Sequence, residues 1–107
     1  MSDFVTLSVA NKLRQAEWDS GNKIDLSYRG NELAGETGEA CNIIKKLERE
    51  RLGIRGSRAT PEQLAEELAD VVICTSLIAN AQGIDLWEAI KAKFNKTSEA
   101  NNLSIKL

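Results

Sequence analysis

Histidine is absent from the 107 residues of this chain. That excludes Ser-His-Asp and Cys-His nucleophile systems, HExxH zinc sites and Glu-x-x-His di-iron sites. Any catalysis here rests on carboxylates, lysines, hydroxyls or a metal-activated water. Proline occurs once and β-branched runs are short, which predicts an all-α protein. The two cysteines form no CxxC and lack histidine partners, so no zinc site is expected. Cys41 and Cys74 each stand among apolar helical neighbours and read as buried, reduced thiols. No apolar run approaches the roughly 20 residues that span a bilayer. Met1-Ser2-Asp3-Phe4 lacks the basic and apolar segments of a secretory signal. The expectation is a cytoplasmic protein without a membrane partner. Net charge is -2 with both signs mixed, so no basic field points to nucleic acid. The length suits one domain, residues 1–107.

Periodicity and capping signals predict a bundle of four to five helices. The first runs from about Asp3 to Asp19, with Phe4, Leu7, Val9, Leu13 and Ala16 on its apolar side. Ser20 to Lys23 reads as a break. The second runs from about Ser27 to Leu52, its buried stripe marked by Leu33, Ala40, Ile43, Ile44 and Leu47. Gly35 and Gly38 lie inside it, each costing about 1 kcal/mol relative to alanine, which predicts close approach of a helix or a ligand. Gly53 to Ala59 is a loop. Thr60, Pro61 and Gln63 open the third helix with a capping box. Leu64, Leu68, Val71, Val72, Leu77 and Ile78 give it an apolar surface wider than one stripe, which predicts burial on several sides and an oligomer. After Gly83, Asp85 caps a fourth helix with Glu88 in the capping-box position and Leu86, Trp87, Ile90 and Phe94 as anchors. The core is expected over about 27–99. The polar tail, 100–107, is expected to fray.

Set into these apolar patterns are two pairs of carboxylates three residues apart, Glu36 with Glu39 and Glu67 with Asp70. On a helix the members of each pair lie about 5–6 Å apart on one face. Either pair alone is as well explained by a solvated acidic face. Four acids converging in a helical core would instead repel one another unless a hard cation neutralised them, and Mg²⁺ or Mn²⁺ suits an all-oxygen site. Glu32 shares the Glu36 face and is a candidate outer member; Glu62 and Glu66 read as surface acids. Helices two and three, joined by a short connection, should be antiparallel neighbours. A simple hairpin would place the two pairs at different heights. They meet only with a long loop, a bent or shortened second helix, or crossed helices.

The segment from Asn31 to Ala40 (NELAGETGEA), then Glu66 to Val72 (EELADVV), Gly83 to Ile90 (GIDLWEAI) and Lys93 to Lys96 (KFNK), resembles the MazG-like branch of the all-α nucleoside triphosphate pyrophosphohydrolases. The resemblance covers roughly residues 27 to 99. It implies a helical core assembled at least as a dimer, either homodimer or homotetramer, in which the two acid pairs face each other. It implies Mg²⁺ held by Glu36, Glu39, Glu67 and Asp70. The implied reaction is hydrolysis of a nucleoside triphosphate to the monophosphate and pyrophosphate, with Glu36 or Glu39 handling the water. It also places phosphate contacts at Lys93 and Lys96. Asn95 is a further donor there, although Lys96-Thr97 stands where the family often has Lys-Asn.

Other residues have weaker claims. Lys45 and Lys46, beyond the first acid pair, can reach phosphates or stay solvated. Arg55 and Arg58 can form a lid or a plain loop. A base pocket needs a flat apolar wall, for which Trp18 is the first candidate, followed by Tyr28 and Asn31. Trp18 serves equally well as a packing staple, and Trp87 reads as packing. Competing readings are a phosphoribosyl-ATP-type pyrophosphatase, a non-catalytic nucleotide-binding module, and a helical protein-interaction module.

Overall fold

Ser2 starts the first helix by accepting a hydrogen bond from the Val5 amide at 3.2 Å, satisfying one of the orphan donors at the helix start. In this computed structural model, residues 2–107 are described, and Met1 lies outside them. Helix α1 spans Asp3–Trp18, α2 Leu26–Leu52, α3 Pro61–Ala81 and α4 Leu86–Ala100, with no strand among the described residues. Each start is capped as the side chains dictate. Asp25 accepts from Tyr28 N at 2.8 Å. Thr60 and Gln63 form the reciprocal capping box. Asp85 accepts from Glu88 N at 3.1 Å. Here the Glu88 side chain departs from the expected box and pairs with Lys91 at 2.7 Å. Gly53 ends α2 in the left-handed region, φ 68°, where a Cβ would be strained.

The α1–α2 turn is held by Asp19, whose carboxylate accepts from the Lys23 amide at 3.0 Å and the Ile24 amide at 2.7 Å. These backbone bonds hold its carboxyl below the ordinary aspartate value. Helices α2 and α3 form the main packing pair, and α3 also packs on α1. The α1–α3 contact carries polar pins: Asn80 with Ser8, and Asn11 Nδ2 donating to the Ile73 carbonyl at 3.4 Å. Helix α4 touches α1 through a small contact that includes a stack of Phe4 on Trp87, centroids 5.3 Å apart. This is the packing role expected of Trp87.

The radius of gyration is 17.1 Å, against about 13 Å for a compact domain of this size. Among the described residues no large side chain is fully buried. Several expected core positions, Val9 and Leu13 on α1, Ile44 on α2, Leu68 and Val72 on α3 and Phe94 on α4, are exposed in the single chain. Cys74 is buried, but Cys41 is exposed. That corrects the expectation of two buried thiols: Cys41 follows buried Ala40 and has rotated off the face that α3 covers. Nor does a neighbouring helix explain Gly35 and Gly38, since a Cβ at either would meet open space. The expected frayed tail folds back. Asn95 grips both backbone groups of Leu107, at 2.8 and 3.1 Å, and Lys106 pairs with Glu99.

Candidate metal centre

The acids converge because α2 and α3 run antiparallel in a register that advances in matched steps. Asp25 and Leu26 line one cavity with Ala81. Six to seven residues further along α2, Glu32 lines a cavity together with Cys74, and Glu36 then lies beside Asp70. One turn on, Glu39 comes close enough to Glu67 to raise its carboxyl. The 3.6-residue repeat keeps all of these on the facing sides of the two helices.

One carboxylate oxygen each from Glu36, Glu67 and Asp70 lies within 4.8 Å of the other two. Glu39 stands near both Glu36 and Glu67 and raises both carboxyls. Two of these carboxyls, Glu36 and Glu67, hold protons more tightly than an ordinary glutamate. Burial raises the Glu36 carboxyl above its ordinary value, followed by the charges of Glu39 and Asp70. The shared hydrogen bond with Glu39, then burial, raises Glu67. Two oxygens, Glu36 Oε2 and Glu67 Oε2, are sealed from solvent without any partner. A buried acceptor left empty is costly. An oxygen-seeking divalent cation would satisfy both orphans and offset the repulsion among the carboxylates. The donor set therefore fits Mg²⁺ or Mn²⁺.

Next to the acids lies a cavity of about 240 Å³ lined by Trp18, Tyr28, Arg29, Glu36, Asp70 and Cys74, among others. Two of the three residues expected to face a base are therefore beside two of the acids. The third, Asn31, is exposed and lies outside that lining. Lys46 is half-buried and Lys45 exposed on α2, two to three turns past Glu36. Lys93 lies along an open apolar groove of α4 with Ile90, Phe94 and Leu103. Because α4 packs on α1, a single chain does not bring Lys93, Asn95 or Lys96 to the acids. Asn95 is instead engaged with the tail.

A family model, the MazG nucleotide pyrophosphohydrolase domain, matches residues 28–102. The chain belongs to this family. No curated protein and no solved structure matches it. The MazG match spans α2, α3 and α4 and so contains both acid pairs, while Trp18 on α1 lies outside it. Within this MazG chain, sequence reasoning overlooked Arg29. Its guanidinium is buried and pairs with Glu32 at 2.9 Å. The three-residue spacing of Arg29 and Glu32 was the available signal. It was hidden because such pairs ordinarily sit in solvent.

Proposed function

We propose that this MazG domain is a Mg²⁺-dependent nucleoside triphosphate pyrophosphohydrolase that releases the monophosphate and pyrophosphate. The observation that carries the reading is the meeting of Glu36, Glu67 and Asp70 within 4.8 Å, with two sealed, partnerless oxygens, beside a cavity walled by Trp18 and Tyr28. Glu36, Glu39, Glu67 and Asp70 would hold the cation. When bound it would supply charge neutralisation for the triphosphate and activation of water. The chain's own part is to aim the carboxylates, to exclude bulk water around Glu36 and Glu67, and to manage a proton. Glu39, exposed beside Glu36 and Glu67, is the group we assign to orienting the attacking water. Trp18 and Tyr28 would sandwich or flank the base.

We also propose that the working form is a homodimer or homotetramer. In its favour are the wide radius of gyration and the exposed apolar residues of α1, α3 and α4. In such an assembly Lys93 and Lys96 would approach the phosphates of a neighbouring subunit's site; Lys46 lies on the same helix as the first acid pair.

The decisive experiment is pyrophosphate release from a panel of ribo- and deoxyribonucleoside triphosphates with Mg²⁺ or Mn²⁺. Activity should require the cation and be lost in Glu39→Gln with helical content unchanged. No pyrophosphate from any substrate with either metal would defeat the catalytic reading. Nucleotide binding without turnover would then leave a binding module.

A further inference from the structure

Arg29 is a guanidinium only 7% exposed, and among the described residues its side chain makes one hydrogen bond, from Nη1 to Glu32 Oε1. A guanidinium carries five N–H donors and no acceptor. Sealing the other donors away would be costly, yet none of its nitrogens is an enclosed orphan. The unused donors open onto space on two sides. Arg29 lines the 240 Å³ cavity that contains Trp18, Glu36 and Asp70. It also lines a second cavity of about 590 Å³, rich in the amides of Asn11, Gln15, Asn22, Asn80 and Gln82. Asn11, Gln15, Ile24, Arg29 and Leu77 border both, so Arg29 stands in the wall the two cavities share.

The guanidinium is fixed there. Tyr28 lies beside it, its ring centroid 5.9 Å from Cζ. Glu32 anchors one nitrogen at 2.9 Å. The outcome is a cation and a carboxylate side by side, a donor next to an acceptor, one helical turn from the metal-binding acids. Arg29 is paired to a carboxylate and recessed between flat and amide side chains, which suits a neutral polar edge better than a triphosphate.

We propose that Arg29, positioned by Glu32, is the residue that reads the nucleobase. Arg29 donates to a ring nitrogen or carbonyl of the base, and Glu32 accepts from the adjacent N–H. The ligand class is a base whose edge carries an acceptor beside a donor. This deepens the hydrolase reading and rests on it for the identity of the site as a nucleotide site.

The test pairs binding with turnover. Binding is measured by titration calorimetry in EDTA with adenosine, guanosine, cytidine and uridine, and with unsubstituted purine riboside, which lacks the donor. Wild type should bind at least one natural nucleoside tighter than purine riboside. Arg29→Met, which keeps the apolar stem, should weaken that nucleoside roughly 10- to 100-fold, the size of a lost hydrogen bond to a charged group. Glu32→Gln, which keeps the side-chain shape, should weaken it in the same direction and serves if Arg29→Met does not fold. In turnover, the ratio of kcat/KM for nucleoside triphosphate to that for inorganic tripolyphosphate should collapse in Arg29→Met. An equal loss on both would make Arg29 a phosphate ligand and overturn the proposal. So would undiminished nucleoside binding in either folded variant, or a wild type that prefers no natural nucleoside over purine riboside. Arg29-dependent nucleoside binding without any hydrolysis would uphold the proposal and defeat the hydrolase reading instead.

Discussion

The acid cluster should make the stability of this protein depend on divalent cations. Without a cation, Glu36, Glu39, Glu67 and Asp70 crowd one another and two oxygens go unpartnered. A ligand that binds only the folded state stabilises it by RT ln(1 + [L]/Kd), about 2.7 kcal/mol at a concentration one hundred times Kd. For a chain of 107 residues, the unfolding entropy is near 0.2 kcal/mol/K, so this corresponds to a rise in Tm of roughly 10 °C. Differential scanning fluorimetry in EDTA, then across a Mg²⁺ and Mn²⁺ series, reads it directly. Asp70→Asn and Glu67→Gln should abolish the metal-dependent rise while leaving the metal-free Tm equal or higher, because each removes one of the repelling charges. Glu48→Gln, on α2 and paired with Arg51 outside the cluster, should retain the full rise. A wild type indifferent to both metals would refute the argument. So would a full response in Asp70→Asn and Glu67→Gln.

Three more predictions rest on the same geometry. Glu36 and Glu67 have raised carboxyl pKa values, so the folded state binds more protons than the unfolded state. Metal-free stability should therefore decline as pH rises from about the ordinary 4.5 through the raised values, and saturating Mg²⁺ should reverse the trend; the difference between wild-type and Glu67→Gln melting curves isolates this, since Asp19 and Glu48 are shifted the other way. Cys41 should react with a thiol reagent in the native protein, whereas Cys74, buried and pushed up to about 11, should react only on unfolding; two fast thiols in a native titration would contradict the fold around α3. Deleting residues 54–58 should leave helical circular dichroism largely intact but eliminate the Mg²⁺-dependent rise in Tm, and a persisting rise would show that the loop does not set the register. None of these readouts depends on knowing the substrate.

Much of this molecule is legible in its sequence because the signals are local. The capping residues Thr60 and Asp85, Gly53 just past the second helix and the lone Pro61 act within one helical turn, and all appear where side-chain chemistry puts them, whereas the Asp25 cap starts α2 one residue before the expected Ser27. The acid pairs are legible as pairs for the same reason. Burial is less so. An apolar residue at helical spacing marks a face, but what covers the face is a tertiary matter, and in the single chain Leu13 and Phe94 are left exposed. Cys41 was misread because apolar neighbours on both sides of a helix do not say which side packs. Arg29 was overlooked because its burial is created by α1 and α3 and not by its own helix.

The height problem posed by a simple hairpin is solved by unequal helix lengths and by the loop between them. Helix α2 has 27 residues and α3 has 21. With Glu36 beside Asp70 and Glu39 beside Glu67, the start of α3 lies level with the region of Lys45 and Lys46, and the last two turns of α2 project beyond it. At 1.5 Å per residue that overhang is about 10 Å. The eight residues from Gly53 to Thr60 cover it by turning back along α2. Ile54 N donates to the Arg49 carbonyl at 3.0 Å, Arg49 reaches Ser57, and Arg58 returns to the Ile54 carbonyl at 2.8 Å. Ala59 is buried at the end of this path. Arg58 thus serves as a strut of the return path, not as a free lid. Arg58 and the left-handed Gly53 and Gly56 then have a structural purpose that spacing alone does not disclose. They set the register that turns two unremarkable acid pairs into one cluster.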